Sequence, residues 1–332
     1  MSEERVFEPP ERRSGGPGSR LPRPEPRSIV RLIADGTLDP SLAALLWLLT
    51  EARIPIVVAA GPSGTGKTTL LEALLDFLPV TAVRRELAGY AEDFGWLPEA
   101  AVLGWHSHGF RGIGVDTAAR SAEHAPPGIA HSPGMEPVEA EPRVEPASTV
   151  LIVPEFSAHL PSYTWGEQGR IAVRALSLGY GLGATIHAES LEDVFAALGG
   201  SEVGLTADEL SRLGVVVVIR IVPEAGTGRA VRRVVAAHYV RPVARDTGGH
   251  VQRLGPAVLA TWDPRTDRFE DFAWGVMPEL AERTGRRAGD MEIERDRRAA
   301  VLATLVRSGM YDPVAVRAEL IRHAIRPAGA RG

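Results

Sequence analysis

Short apolar runs alternate with stretches of helical periodicity along most of this chain. Runs of about four to eight apolar residues are typical of strands inside a parallel sheet. They cover residues 56–60, 149–153, 183–187, 214–220 and 232–239. Apolar residues at helical spacing predict helices over 41–52, 69–78, 165–178, 292–308 and 312–325, and a further helix that opens at Ser190. This alternation predicts an α/β fold, in which a mostly parallel sheet carries helices on both faces.

Two segments without periodicity interrupt this pattern. Residues 1–27 and 118–148 are rich in proline and charged residues, and such segments bury too little apolar surface to offset the conformational entropy that ordering removes. We predict a disordered tail over 1–27 and a flexible insertion over 118–148. The rest is predicted to form one α/β domain over 28–278 and a C-terminal helical region over 279–332.

The composition narrows the possible chemistry. The 332 residues carry a formal net charge of −5 and include no cysteine, which excludes disulfides, thiolate zinc sites and cysteine nucleophiles. No apolar run approaches the roughly 18 residues of a membrane-spanning helix, so we expect a cytoplasmic protein. The arginines within 295–298 are interleaved with acidic residues, as on a solvated helix face. We therefore expect no nucleic-acid binding.

The most specific motif lies between a predicted strand and a predicted helix. Residues 61–69 fit the phosphate-binding pattern G-x-x-x-x-G-K-[ST] at every required position. Glycines let the backbone N–H groups of such a loop turn toward an anion, and the helix N-terminus adds partial positive charge. We expect Lys67 to reach the β- and γ-phosphates of ATP and Thr68 to join the coordination shell of Mg²⁺. The predicted ATP-binding residues are Gly61, Pro62, Ser63, Gly64, Thr65, Gly66, Lys67, Thr68 and Thr69.

Two further polar residues stand at the ends of predicted strands. Glu155 follows the run 149–153, and His187 ends the run 183–187. Side chains that handle ligands gather at the carboxyl ends of strands in open α/β sheets. We predict that Glu155 orients or deprotonates water, directly or through Mg²⁺. His187 is predicted to donate a hydrogen bond to the γ-phosphate.

Several segments, taken in order, resemble one protein family. They are LIADGT (32–37), LAALLWL (42–48), the phosphate loop, PEFS (154–157), LGYGLG (178–183), TIHAES (185–190), ERDRR (294–298) and GMYD (309–312). This ordered set is similar to the motor domain of the secretion superfamily ATPases, which drive type II and type IV secretion and the assembly of pili and archaella. The similarity spans residues 28–325 and implies a RecA-like P-loop NTPase domain.

The resemblance implies further roles and partners. Glu86 falls in the segment that is acidic in the family, which makes it a catalytic candidate beside Lys67, Glu155 and His187. Arg111 and Arg120 are the candidates for the arginines that reach a neighbouring subunit. The family implies a homohexamer that lies peripherally at the inner face of the cell membrane. Its partner would be the integral-membrane platform protein of a pilus or secretion system.

The chain also departs from the family pattern. Pro154 and Ser157 replace the glycine and arginine of the GE.R box, Tyr180 replaces the histidine of the TGH turn, and two carboxylates of the acidic box are missing. Two alternatives to an active motor therefore stay open. One is a nucleotide-binding pseudo-ATPase that regulates such an apparatus, and the other is a small-molecule kinase, which the same loop would allow.

Overall fold

The computed structural model describes residues 26–61, 63–106, 144–224, 226–245 and 250–325. Four predictions lie outside these residues: the tail over 1–25, Pro62 of the phosphate loop, the insertion over 118–143, and the inter-subunit candidates Arg111 and Arg120. At the end of the segment predicted to be an insertion, Pro146–Ser148 form a short 3₁₀ helix.

Helices and strands alternate along the described chain, which confirms the predicted α/β fold. The helices are α1 (Ile29–Ala34), α2 (Pro40–Glu51), α3 (Lys67–Leu75), α4 (Gly166–Arg174), α5 (Leu191–Gly199), α6 (Ala207–Leu210), α7 (Met277–Arg283), α8 (Ala288–Arg307) and α9 (Pro313–Ile325). The strands are β1 (Ile56–Ala60), β2 (Val83–Glu86), β3 (Thr149–Phe156), β4 (Gly181–His187), β5 (Val215–Pro223), β6 (Ala230–Tyr239), β7 (Ala244–Arg245), β8 (Val251–Gln252), β9 (Ala257–Asp263) and β10 (Arg268–Asp271). Short 3₁₀ helices also cover Gly89–Ala91, Ala175–Leu178 and Ala273–Val276.

The main sheet is parallel in one half and antiparallel in the other. Among the described residues its strand order is β10-β9-β6-β5-β1-β4-β3-β2. β1 pairs in parallel with β4 and β5, and β3 pairs in parallel with β4 and β2. β6, β9 and β10 extend the sheet beyond β5 as antiparallel strands. The chain passes from one side of β1 to the other between β4 and β5, and open α/β sheets bind ligands in the crevice beside such a crossing.

Alternate residues of β1 face two hydrophobic cores. Ile56, Val58 and Ala60 belong to the core that is covered by α1, α2, α3 and the C-terminal helices α7, α8 and α9. Val57 and Ala59 belong to the core that is covered by α4, α5 and the segment 94–100. Because strand side chains alternate between faces, an apolar run with both parities buried must carry packing on both sides.

The C-terminal helices pack directly on the N-terminal ones. α2 begins one residue before the predicted start at 41, with Asp39 as its N-cap and Pro40 as its first residue. Residues 42–50 of α2 are all buried, which places packing partners around the whole helix. α8 supplies one of these partners, and the Arg298 guanidinium lies 4.5 Å from the ring centroid of Trp47. In addition, the Ser28 hydroxyl donates to the backbone oxygen of Tyr311 at 2.8 Å.

Two details differ from the sequence expectation. The helix predicted over 69–78 begins earlier, at Lys67, because Gly66 takes a left-handed conformation (φ 103°) and lets the helix start immediately after it. That helix ends at Leu75, after which Phe77 and Leu78 close tighter turns by donating to the oxygens of residues 74 and 75. β7, β8, β9 and β10 were not predicted. In the described part of the chain, no helix is both long and apolar enough to cross a bilayer.

Candidate functional site

The phosphate-binding loop leads from the end of β1 into α3 and lines a cavity of about 630 Å³. Gly64 and Gly66 have φ angles of 79° and 103°, a region that side chains with a Cβ rarely adopt. The loop residues that line the cavity are Ser63, Gly64, Thr65, Gly66, Lys67, Thr68 and Thr69. The described part of the predicted loop therefore surrounds one space, apart from Gly61, which lies at the end of β1.

Lys67 and Glu155 meet beside this loop. The Lys67 Nζ lies 3.4 Å from the Glu155 Oε1, and their side chains are only 10% and 12% exposed. The other carboxylate oxygen, Oε2, lies 2.6 Å from the Thr185 hydroxyl, whose one proton it shares as an acceptor with the backbone oxygen of Pro154 at 2.5 Å. Thr185 itself is fully buried. The structure thus brings together two of the predicted catalytic residues and adds a third polar residue that fixes one of them.

A β-bulge aims Glu155 at the loop. β3 pairs with β4 at Val153↔Ala184 and again at Phe156↔Ile186, so β3 holds one residue more than β4 between these pairs. Such an extra residue re-aims a side chain, and bulges are frequent beside active sites. Pro154 lies in this bulge, where its missing N–H breaks no regular ladder. The proline that departs from the family pattern therefore occupies a position that can accept it.

The other predicted catalytic residues lie apart from this pair. His187 ends β4 and is exposed, and its register partner is Ala60, the last residue of β1. Within the described chain it takes no part in the contacts that join Lys67, Glu155 and Thr185. Glu86 ends β2 in register with Ile152, one strand away from Glu155 and three positions earlier along β3. The roles of both residues stay predictions.

Sequence reasoning missed Thr185 and Glu189. Thr185 interrupts an apolar run with a polar side chain and shares the face of His187, two positions on, which was a usable signal. Glu189 lies against the start of the loop, since a Cβ placed on Gly61 would come within 2.4 Å of the Glu189 Oε1. Nothing local in the sequence relates Glu189 to Gly61, because their approach depends on the pairing of β4 with β1.

Positive charge dominates the cavity. The basic residues on its wall are Lys67, Arg27, Arg31, Arg229 and Arg232, and the acidic ones are Asp35 and Glu155. Asp35 is already paired, with Arg31 at 3.0 Å and Arg27 at 3.2 Å. A cavity that combines this charge with a glycine-rich loop at a helix N-terminus is suited to an anion.

Comparison with known proteins gives distant relatives. No family profile matches the sequence. The chain is 23% identical over 305 residues to the uncharacterized protein MJ0900 of Methanocaldococcus jannaschii, which is 88% of this chain and 48% of that protein. It is 27% identical over 249 residues to the uncharacterized protein MJ1287 of the same organism, 72% of this chain and 76% of that protein. The chain spans about half the length of the first of these relatives.

One short sequence match and two structure matches are to proteins whose names indicate a role. Over 56 residues, the chain is 43% identical to a putative conjugal transfer protein, MT3759, of Mycobacterium tuberculosis, which is 17% of this chain and 16% of that protein. The ATPase DotB of Legionella pneumophila aligns with a TM-score of 0.30 and 13% identity. The alignment covers 82% of this chain and 58% of the DotB chain. The VirB11 ATPase from the Brucella suis type IV secretion system aligns with a TM-score of 0.31 and 18% identity. The alignment covers 61% of this chain and 57% of the VirB11 chain.

Proposed function

We propose that this chain is an ATP-binding and ATP-hydrolysing motor that powers the assembly of a type II/IV secretion or type IV pilus-like apparatus. The observation that carries the ATPase part is the placement of Lys67 and Glu155, 3.4 Å apart, at the mouth of the phosphate loop. The motor part is supported by the ordered family-like segments of the sequence. The similarity to a putative conjugal transfer protein points the same way.

The residues present fit a nucleotide with Mg²⁺. The loop offers backbone N–H groups and a helix N-terminus for phosphates. Within the described chain, the Glu155 Oε1 is buried and accepts no hydrogen bond, so it has capacity to accept one from a ligand or from ordered water. Thr68 and Glu155 would hold the Mg²⁺, and the residues of 61–69 would hold the phosphates. Bound Mg²⁺–ATP supplies the phosphoryl group and neutralises part of its charge.

Each side chain then has a definable task. Lys67 neutralises phosphate charge as a compact point charge. Glu155 orients water and accepts its proton at Oε1, while the hydrogen bond from Thr185 holds Oε2 in place. His187, exposed at the neighbouring strand end, is proposed to donate a hydrogen bond to the γ-phosphate, and Glu86 is proposed to assist through the edge strand.

Lys67 offers an unusually sharp test. The sequence has no other lysine, and all remaining members of its 37 basic residues are arginine. Lys67→Ala and Lys67→Arg should both lose binding of a labelled, non-hydrolysable ATP analogue. The alanine removes the charge that faces the phosphates, and the planar guanidinium does not reproduce a compact ammonium at a side chain that is only 10% exposed. Wild-type affinity in Lys67→Ala would show that the nucleotide site lies elsewhere. Circular dichroism should show that both variants remain folded.

Glu155 tests hydrolysis separately from binding. Glu155→Gln should still bind the analogue but release phosphate roughly 10²-fold more slowly or worse, because an amide cannot accept the proton. The exposed Glu282 of α7 provides a matched control, and Glu282→Gln should turn over ATP at the wild-type rate. Unchanged turnover in Glu155→Gln would transfer the role to Glu86. A wild-type protein that binds ATP without forming ADP would be the pseudo-ATPase. ADP formation that requires an added acceptor and releases no free phosphate would indicate a kinase.

Assembly and location are part of the same proposal. We expect a homohexamer with nucleotide sites between subunits, peripheral at the inner face of the cell membrane. Its partner would be an integral-membrane platform protein, and no nucleic acid is expected as a ligand. A nucleotide lodged in a head-to-tail interface stabilises a ring by binding linkage. Light scattering at several concentrations, with and without the ATP analogue, should show nucleotide-dependent hexamers. A strict monomer in both conditions would rule out the ring motor.

A further inference from the structure

Arg232 of β6 reaches across to the phosphate loop. Its Nε donates to the backbone oxygen of Thr65 at 2.9 Å, and its Nη2 donates to the backbone oxygen of Gly64 at 3.1 Å. The side chain also lies on Gly66, where a Cβ would come within 3.2 Å of the Arg232 Cδ and Nε. The arginine thus holds two successive carbonyl groups of the loop and packs against the glycine that follows them.

These two contacts orient the N–H groups of the loop. In a planar trans peptide the C=O and the N–H point in opposite directions, and the described peptide bonds are all trans. The oxygen of Gly64 shares its peptide plane with the N–H of Thr65, and the oxygen of Thr65 shares its plane with the N–H of Gly66. Arg232 therefore turns these two N–H groups away from itself by holding the two oxygens toward it.

The base of Arg232 is itself fixed. The next residue, Arg233, is 5% exposed and donates to both carboxylate oxygens of Asp267, at 2.9 and 3.0 Å. It also donates to the backbone oxygen of Asp35 at 3.2 Å, at the end of α1. On the other side, Arg232 stands in register with Ile221 of β5. Neighbouring side chains of β6 thus brace two walls of the cavity, the phosphate loop on one side and the end of α1 on the other.

We propose that Arg232 is a positioning residue that pre-sets the phosphate loop for a nucleoside di- or triphosphate, acting through the backbone oxygens of Gly64 and Thr65. This inference rests on the nucleotide site of the proposed function. The sequence motif does not include Arg232, which lies 167 positions after Thr65. Arginine suits the task because its guanidinium presents several donors in a fixed plane, whereas lysine presents a point charge.

A comparison of ADP with the ATP analogue distinguishes this role from a direct contact between Arg232 and the γ-phosphate. Loop N–H groups cradle the α- and β-phosphates, which ADP and ATP share. Arg232→Ala should therefore weaken ADP and the ATP analogue by a similar factor of about 10 or more, the effect of losing hydrogen bonds from a charged donor. Arg232→Lys should recover part of this loss. Calorimetry or fluorescence titration with both nucleotides measures the ratio.

Arg229 supplies the matched control for charge. It lines the same cavity and its side chain is 74% exposed, with Glu224 of the same hairpin at 3.5 Å. Arg229→Ala removes the same charge from the cavity but leaves the loop contacts in place, so its effect should be several-fold smaller than that of Arg232→Ala.

Three outcomes would overturn the proposal. A loss confined to the ATP analogue would make Arg232 a γ-phosphate ligand. Equal losses in Arg229→Ala and Arg232→Ala would reduce its role to general electrostatics, and full affinity in Arg232→Ala would remove the role altogether. Two other results would instead refute the proposed function. One is a wild-type protein that binds neither nucleotide, and the other is wild-type affinity in Lys67→Ala, measured beside Arg232→Ala.

Discussion

Replacing Arg298 with methionine should cost the fold more than any surface arginine would. Arg298 lies on α8, is 2% exposed and joins this helix to α2. It donates to the Glu51 Oε2 at 2.7 Å and to the Glu294 Oε1 at 2.8 Å, and its guanidinium stacks above the ring of Trp47. Arg298→Met keeps most of the volume and removes the charge, so it isolates the ionic part of this contact.

The expected loss in the free energy of unfolding depends on the ion pairs that remain in Arg298→Met. Removing one partner of a buried ion pair costs about 3–5 kcal/mol, and a desolvated cation–π contact adds about 2 kcal/mol. However, Glu51 keeps Arg286 at 3.2 Å, and Glu294 keeps Arg297 at 2.6 Å. Neither carboxylate is left without a cation, and the methionine refills apolar space. We therefore expect the free energy of unfolding to fall by about 3 kcal/mol, the lower end of the range.

Urea unfolding, followed by circular dichroism and tryptophan fluorescence, measures this loss. Arg322→Met is the control, because Arg322 also sits on a C-terminal helix and pairs with Glu319, yet its side chain is 62% exposed. Exposed pairs contribute about 1 kcal/mol or less. If both variants lose the same amount and that amount is below about 1 kcal/mol, the buried cluster does not fasten α8 to α2.

Two other predictions concern the site and the sheet. Thr185→Val should leave the fold intact but lower kcat for ATP hydrolysis about 10-fold with little change in KM. The reason is that Glu155 loses the hydrogen bond that fixes its Oε2. An unchanged kcat in a steady-state assay would refute this prediction. Burial lowers the pKa of His238 on β6, an effect that the charge of Glu192 partly offsets, so protonation favours the unfolded chain and stability should fall as pH drops below about 6.5. His238→Gln should flatten this dependence in urea titrations at pH 5 and pH 7, and an equal slope in both proteins would contradict it.

Local patterns predicted the parts of the site that depend on local structure. The phosphate loop needs a strand, a glycine-rich turn and a helix in immediate succession, and all three are adjacent in sequence. Glu155 was predicted from its place after an apolar run, since strand ends gather at one edge of a parallel sheet. Lys67 and Glu155 do meet at this edge, although Lys67 begins helix α3 and Glu155 lies near the end of strand β3.

Other features depend on pairing between distant segments and left no local signal. The bulge between Val153 and Phe156 exists only as a mismatch between β3 and β4. The approach of Arg232 to Gly64 requires β6 to fold back along β5, and no local pattern around Arg232 indicates this pairing. β10 is short and mostly exposed and has a single apolar residue, Phe269, so it forms no apolar run. The four apolar residues 257–260 of β9 were a usable local signal that sequence reasoning missed.

The packing of α8 on α2 also means that α2 is synthesised long before the helix that covers it. Glu51 and Arg298 are separated by 247 positions, and ribosomes add about 5–20 residues per second. α2 therefore leaves the ribosome roughly 12 to 50 s before α8 has been made. Throughout this interval the apolar surface of α2 that faces α8 lacks its cover, and exposed surface of this kind promotes aggregation. The incomplete chain should therefore be more prone to aggregate than the stability of the finished protein would suggest.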